Sequence, residues 1–205
     1  YYSEDNWLKL LKLLGEGKLS DTMGFTTFSM HLSLSSHPEA LRYFFQSKGL
    51  DQKYNFIDDY CAKINKLENS TKELELFRII EDAGREQVLI FVERIATGQL
   101  LNKKINEKYN TALFYHGGLK TNERASIIRK FQRNEIQFLI CTSAGSEGLN
   151  LQNCHKLVNF DLHWNPLKIE QRIGRVHRFG QKFDVDIYNL SVRGTIEDSV
   201  IAKIY

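Results

Sequence analysis

The stretch Gln171-Arg-Ile-Gly-Arg-Val-His-Arg-Phe-Gly-Gln181 sets three arginines and two glutamines within eleven residues. A guanidinium is permanently charged, and its planar fork engages two oxygens at once, which suits phosphate. Pro166, after Trp164 and Asn165, fits the first turn of a helix, where its missing N–H would be unpaired anyway. In a helix running from about Leu167, Gln171, Arg175 and Arg178 fall at i, i+4 and i+7 and project together. Ile169, Ile173 and Val176 repeat that spacing on the opposite side. One face then packs while the other presents two guanidinium groups and an amide. A solvated basic helix is the plain alternative, and the composition of the loops upstream argues against it.

Three of those loops carry unusual chemistry. Thr142-Ser-Ala-Gly-Ser-Glu-Gly-Leu-Asn150 follows an apolar run directly. Gly145 and Gly148 let backbone amides approach a phosphate or sugar closely. Thr142 and Ser143 add hydroxyl donors, and Asn150 offers an amide to a ribose. His116-Gly-Gly118 is a weaker signal, because glycines after a strand often only make the turn. His116 reads equally well as a satisfied rim histidine. Asp161-Leu-His-Trp-Asn-Pro166 is the third.

The elements that must hold these residues are short apolar runs alternating with amphipathic helices. Runs at 88–92, 112–115, 136–141, 157–160 and 185–190 read as strands. Near-continuous apolar strands separated by helices indicate a parallel sheet covered on both faces. A helix from about Thr121 packs through Ile127, Ile128 and Phe131. Right-handed crossovers give a doubly wound α/β sheet whose functional loops leave the carboxyl ends of the strands. All the chemistry-bearing stretches fall on that rim.

Residues 1–84 read instead as helices joined by polar turns. Apolar residues cover much of the circumference of a helix over 7–14, so it is expected to be buried on more than one side. Gly15-Glu-Gly-Lys-Leu-Ser20 places Leu19 where a phosphate loop requires Ser or Thr after Lys, and reads as a turn. Residues 25–36, rich in Ser, Thr and Phe, fit an extended or irregular segment. Helices are expected from Pro38 to Phe45, over 55–67, and from Thr71 to Ala83, where Leu76, Ile79, Ile80 and Ala83 share a stripe. Glu73 suits the first turn of that last helix, and Gly84 suits its end. His31 and His37 fall in expected loops and read as structural.

At 205 residues the chain holds one large domain or two small ones. It is 42% hydrophobic and has no run long enough to span a bilayer. It opens Tyr1-Tyr2-Ser3-Glu4-Asp5, without an initiator Met or a signal-peptide pattern, and reads as a piece of a longer protein. A net charge of +3 permits a nucleic-acid partner without demanding one. Cys61, Cys141 and Cys154 are scattered and form no CxxC pair, which fits a reducing cytoplasm; no metal site is expected.

Tyr115-His-Gly-Gly118, Glu123-Arg124 with Phe131, residues 142–151, Asp161 with Trp164-Asn-Pro166, residues 171–181 and Gly194-Thr-Ile-Glu-Asp198 occur in the order found in Swi/Snf-type ATPases. From about Gln87 onward the chain resembles the second RecA-like lobe of that superfamily 2 helicase group. Gln-Arg-Ile-Gly-Arg, together with Ser146-Glu147, resembles the bacterial RapA-like branch more than eukaryotic remodellers. Those usually show Gln-Ala-x-Asp-Arg and a Gly-Gly-Val-Gly loop.

The resemblance implies a RecA-like three-layer α/β/α lobe over 85–205. The helical segment 1–84 matches loosely the insertions such motors carry between lobes. It further implies that Arg175 and Arg178 are arginine fingers reaching an ATP on another lobe, with Gln171 beside the γ-phosphate. Gly148 and Asn150 would lie beside the nucleotide. His116, Gly117, Thr142 and Ser143 would face the phosphates of a tracked strand of double-stranded DNA. Arg124 would support its own helix, and Trp164 and Asn165 would pack or couple DNA contact to the ATP cleft.

The chain contains no Gly-x-x-x-x-Gly-Lys-Ser/Thr and no Asp-Glu-x-His. ATP and Mg2+ are therefore expected mainly on an N-terminal RecA-like lobe of the same protein, and the piece alone is expected to be inactive. RNA polymerase or another protein complex is the further partner implied, with no membrane, in the bacterial cytoplasm at the nucleoid. A non-hydrolytic helicase-like scaffold that binds nucleic acid or protein is the competing reading, and intact Gln171, Arg175 and Arg178 argue against it. A dinucleotide-binding domain fails for want of a strand followed by Gly-x-Gly-x-x-Gly.

Overall fold

The structure, a computed structural model, describes residues 23–50, 57–58, 61–62, 68–142, 149, 151–192, 195, 197 and 200–201, with backbone alone at 23–28 and 31. The chain divides into two compact units, Tyr1–Glu68 and Asn69–Tyr205.

Five parallel strands make the sheet of the second unit: β1 (Val88–Val92), β2 (Ala112–Tyr115), β3 (Phe138–Thr142), β4 (Lys156–Asn159) and β5 (Asp186–Asn189), in the order β2-β3-β1-β4-β5. Strand β1 lies in the middle, with Ile90 in register with Ile140 on one side and Val158 on the other. Its five residues Val-Leu-Ile-Phe-Val are all buried, as a strand covered on both faces requires.

Side chains alternate between the two layers. Val88, Ile90 and Val92 pack with Leu76, Ile79, Ile80 and Ala83 of a helix at Thr71–Ala83 and with Leu101 and Ile105 of a helix at Ile95–Tyr109. Leu89 and Phe91 point the other way, against Phe131 of a helix at Thr121–Gln132, Leu151 and Val176. The expected α/β/α architecture is the one observed, with strand ends displaced by one or two residues.

The expected division at 84/85 is corrected to 68/69. The helix Thr71–Ala83 had been grouped with the leading helical segment, but its apolar stripe is buried on the sheet. A capping box opens it: Ser70 Oγ accepts from the Glu73 N–H at 3.3 Å, and Glu73 Oε2 accepts from the Ser70 N–H at 2.6 Å. Glu73 also pairs with Lys104 Nζ at 2.7 Å, tying this helix to the next.

In the first unit, α1 (Met23–Ser36) and α2 (Pro38–Ser47) form a helical pair; in the second, the helices are α3 (Thr71–Ala83), α4 (Ile95–Tyr109), α5 (Thr121–Gln132) and α6 (Pro166–Ile173). Residues 25–36 are therefore helical rather than extended or irregular. Met30 and Leu34, four apart, are buried with Leu41, Phe44, Phe45 and Ile57, and packing of this kind outweighs the weak helix propensity of Ser and Thr. His31 sits within α1, not in a loop. His37 is the N-cap of α2, its Nδ1 accepting from the Glu39 N–H at 3.0 Å, a structural role as expected. The helix expected over 7–14 and the turn at 15–20 lie outside the described residues. Of the helix expected over 55–67, residues 57–58 and 61–62 are described and are helical.

Helix α4 approaches the sheet edge through Gly98. A Cβ there would stand 2.3 Å from the ring of Phe114 on β2, far inside van der Waals contact. Alanine ordinarily gains about 1 kcal/mol over glycine inside a helix. Overpacking costs roughly 1–3 kcal/mol, so Gly98→Ala should destabilise despite its better propensity. Chemical denaturation should show a lower midpoint for Gly98→Ala, restored by adding Phe114→Leu; an unchanged midpoint in the single variant would contradict the close approach.

Candidate functional site

The connection leaving β1 runs through α4 toward the β2 edge, whereas the connection leaving β4 runs through α6 toward the β5 edge. Diverging connections open a crevice at the carboxyl ends of neighbouring strands, where ligands bind in open α/β sheets. Here the crevice lies between β1 and β4, and charged groups floor it. Asp161, just past β4, accepts at Oδ2 from the Glu93 N–H at 2.7 Å, so it caps the end of β1. Its Oδ1 lies 3.6 Å from Lys72 Nζ of α3, which also pairs with Glu197 Oε1 at 2.8 Å. Glu197 accepts from the Leu162 N–H at 3.2 Å and from the Val192 N–H at 3.0 Å. Lys72 further stands 5.3 Å from the centre of the Phe160 ring.

Arg172 of α6 completes this floor. It is 3% exposed. Its Nη1 donates to Asn159 Oδ1 at 2.9 Å and to the Asp161 carbonyl at 2.7 Å, while Nη2 donates to Glu93 Oε1. Burial pushes its guanidinium down from the ordinary arginine range, and the charges of Glu93 and Asp161 hold it up.

Helix α6 opens as expected. Asn165 is the N-cap, its Oδ1 accepting from the Leu167 N–H at 3.1 Å, and Pro166 stands in the first turn. Trp164, just before it, is half exposed, its ring 5.4 Å from that of His163.

The helix ends at Ile173, however, so the single face proposed for Gln171, Arg175 and Arg178 is corrected. Gly174 weakens continuation by about 1 kcal/mol relative to alanine. The chain then tightens into a turn, with the Arg175 N–H donating to the Arg172 carbonyl at 2.9 Å and the Val176 N–H to the Ile173 carbonyl at 3.0 Å. Gln171 is exposed on α6, Arg175 is half-buried in the turn, and Arg178 is exposed beyond it. The apolar side divides too: Ile169 and Ile173 pack with Leu162 and Val200, whereas Val176 enters the layer of Leu89 and Phe91.

Residues 174–180 thus form a loop braced at several points. The Leu151 N–H donates to the Arg175 carbonyl at 3.1 Å. Gln181 Nε2 lies within hydrogen-bonding distance of the Gln152, Cys154 and Val176 carbonyls, at 3.1, 3.3 and 3.1 Å. Gln152 Nε2 returns a bond to the Phe179 carbonyl at 3.0 Å. Gly180 turns the chain at φ 95°, a conformation side-chain-bearing residues rarely adopt. The two arginines therefore hang on a stapled loop whose backbone is tied to Leu151, the residue after Asn150.

Elsewhere on the rim, His116 stacks on Phe114 with ring centres 4.8 Å apart, and its Nδ1 accepts from the Gly118 N–H at 3.2 Å. A neutral ring held this way carries its proton on Nε2. Gly117 is exposed beside it. Thr142 is the last residue of β3 and is 7% exposed, so its hydroxyl is far less open than a phosphate donor on a free loop would be. Ser143, Gly148 and Asn150 lie outside the described residues. Arg124 is half-buried on α5.

Cys141 and Cys154 are free thiols; burial pushes Cys141 well up and Cys154 up to about 12, which leaves both unreactive. Among the described residues no group of three His, Cys, Asp or Glu could hold a metal ion, so no step is assigned to Mg2+ on this chain. Among them, too, no helix is long and apolar enough to cross a membrane.

Sequence reasoning missed Glu93, Asp161 as a strand cap, Lys72, Glu197, Arg172 and the bracing role of Gln181. One signal was present: Arg172 stands three residues after Ile169, on the packed side of α6.

Comparison with known proteins agrees with this geometry. The model of the helicase conserved C-terminal domain matches residues 66–180. The chain belongs to that family. It is 34% identical over 189 residues to an uncharacterized ATP-dependent helicase, YqhH, of Bacillus subtilis, covering 88% of this chain and 33% of the relative. It is 38% identical over 131 residues to the RNA polymerase-associated protein RapA of Vibrio atlanticus, covering 62% of this chain and 13% of RapA. The chain thus spans about a third of the first relative and about an eighth of the second. These relatives bear out the second RecA-like lobe of a Swi/Snf-type protein on the RapA-like side.

Among solved structures, the C-terminal part of the Fun30 ATPase domain matches with a TM-score of 0.61 at 24% identity, covering 78% of this chain and 56% of that one. The Pyrococcus furiosus Hef helicase domain matches with a TM-score of 0.63 at 18% identity, covering 82% and 39%. Both share the fold.

Burial pushes the Glu197 carboxyl from its ordinary 4.5 up to about 7, although Lys72 and the Leu162 N–H favour its charged form. Between those values the folded state holds a proton that the unfolded chain has released. This group's contribution to stability therefore falls as pH rises from about 4.5 to about 7. Glu197→Gln stays neutral and should flatten that part of a melting-temperature profile against pH; a profile that keeps its slope would mean another group titrates there.

Proposed function

We propose that residues 85–205, with α3, act as the C-terminal motor lobe of a DNA-dependent ATPase that translocates on a duplex. ATP and its Mg2+ sit on an N-terminal RecA-like lobe of the parent protein, and closure brings Arg175 and Arg178 to the phosphates as arginine fingers. The observation that carries this reading is the stapled loop 174–180, whose bonds to Leu151, Gln152 and Cys154 fix the backbone that carries both arginines while leaving Arg178 exposed. Guanidinium groups held in advance where charge develops lower the barrier without reorganisation at the moment of reaction.

Gln171, exposed in the last turn of α6 four residues before Arg175, is assigned to the γ-phosphate. Gly148 and Asn150 are assigned to the nucleotide; the tie between Leu151 and Arg175 supports this, because it brings the end of their loop to the fingers. His116, with Nε2 as its donor, and Gly117 are assigned to a DNA phosphate backbone, together with Thr142 and Ser143. Residues 1–68 are assigned to a helical insertion between the lobes. A role at RNA polymerase in a bacterial cytoplasm extends the likeness to RapA, whose name records that association.

The test is an ATPase assay of the full-length parent, with and without double-stranded DNA. Arg178→Ala should leave ATP binding largely intact and reduce turnover by on the order of 10³-fold or more, the scale of finger removal in related phosphoryl-transfer enzymes. Undiminished turnover would contradict the finger assignment. Residues 69–205 alone should hydrolyse no ATP.

A further inference from the structure

We propose that Arg172 is a positioning residue, which clamps the end of α6 to Glu93 at the tip of β1 and so sets where Arg175 and Arg178 leave the fold. This rests on reading those two arginines as fingers. Arg172 does not serve as a third finger in this conformation: it is 3% exposed, and its fork is engaged by protein oxygens on separate elements. Asn159 is the last residue of β4, Asp161 lies just beyond it, and Glu93 is the first residue past β1. The guanidinium also lies over the Phe91 ring, 5.0 Å from its centre. One side chain therefore references the end of α6 to both walls of the crevice.

The clamp reaches the fingers by a short path. Arg172 is the penultimate residue of α6, and its carbonyl accepts the Arg175 N–H at 2.9 Å. A displacement of Arg172 passes directly into the turn carrying Arg175, while the far side of the loop is held by Gln181. Packing alone would be served as well by an apolar residue, since a buried ion pair is weak evidence for stability. A planar fork bound to three oxygens fixes direction instead, and lysine cannot reproduce it. Glu93, whose side chain is 21% exposed, extends the clamp to the rim itself.

The experiment measures kcat and KM for ATP, with melting temperature alongside, in the full-length parent carrying Arg172→Lys, Glu93→Gln and both. A misplacement near 1 Å can cost on the order of 10²-fold in rate. Arg172→Lys should lower kcat by about that factor while KM stays within about twofold and the protein remains folded at the assay temperature. Glu93→Gln should act in the same direction, and the double variant should be no worse than the more damaged single one, since both break one contact.

Wild-type kcat in Arg172→Lys, a loss that tracks the unfolded fraction, or losses that multiply in the double variant would each overturn the proposal. If Arg172→Lys does not fold, Glu93→Gln carries the test: a kcat loss at constant KM supports the clamp, and wild-type kcat overturns it. Arg178→Ala, assayed in parallel, separates the two readings. Full turnover there removes the fingers and the clamp's purpose with them, whereas its loss beside an unaffected Arg172→Lys removes the clamp alone.

Discussion

A parallel sheet delivers the carboxyl end of every strand to one rim, and the central strand must end there with helices packed on both its faces. That end cannot be satisfied by water as an edge strand can, so its polar groups need partners inside the protein. In this chain the Glu93 N–H is taken by Asp161, and Asp161 brings a charge into the interior. Lys72 of α3 answers that charge at the carboxylate, Arg172 of α6 donates to the Asp161 carbonyl and pairs with Glu93, and Glu197 then answers Lys72. The charged floor of the crevice follows from ending a buried strand. It links the leading helix, the sheet, the arginine helix and the residues after β5 into one body.

The proposed role of Arg175 and Arg178 depends on that floor through Arg172. Arginines on a continuous exposed helix would be free to sample solvent. Here the helix is cut at Gly174, Val176 is driven into the layer beside Phe91, and Gln181 staples the returning chain to three carbonyls. The outcome is a braced loop carrying both arginines, which suits the proposed finger role because the charge they would meet arrives on another body. Trp164 and Asn165 stand at the other end of α6, where Asn165 caps the helix.

The fold was legible because its signal is redundant. Val-Leu-Ile-Phe-Val at 88–92 and Phe-Leu-Ile-Cys at 138–141 are apolar at every position, which only strands buried on both faces tolerate. The stripe of Thr71–Ala83 was equally plain, but a stripe does not say what it packs against, and the division of the chain was therefore placed too late. Residues 23–36 misled in the other direction, since their helix is held by packing of Met30 and Leu34 rather than by propensity. At the site, residue types pointed correctly to the family. The helix end at Ile173 escaped notice because a single glycine is often tolerated in a helix. Arg172 was hidden because an arginine among arginines looks solvated, and Lys72 because its partner Glu197 is 125 residues away.

The central claim is that Arg175 and Arg178 act on charge that develops during phosphoryl transfer, not on ATP as such. It is tested most directly by the affinities of the full-length parent for ADP and for ADP–aluminium fluoride, a transition-state mimic, in wild-type and Arg175→Ala proteins. Transition-state analogues bind at least about 10²-fold more tightly than ground-state ligands where such groups act. The expected result is that Arg175→Ala removes most of that preference while ADP affinity is unchanged. Equal losses for both ligands, or none for either, would contradict it.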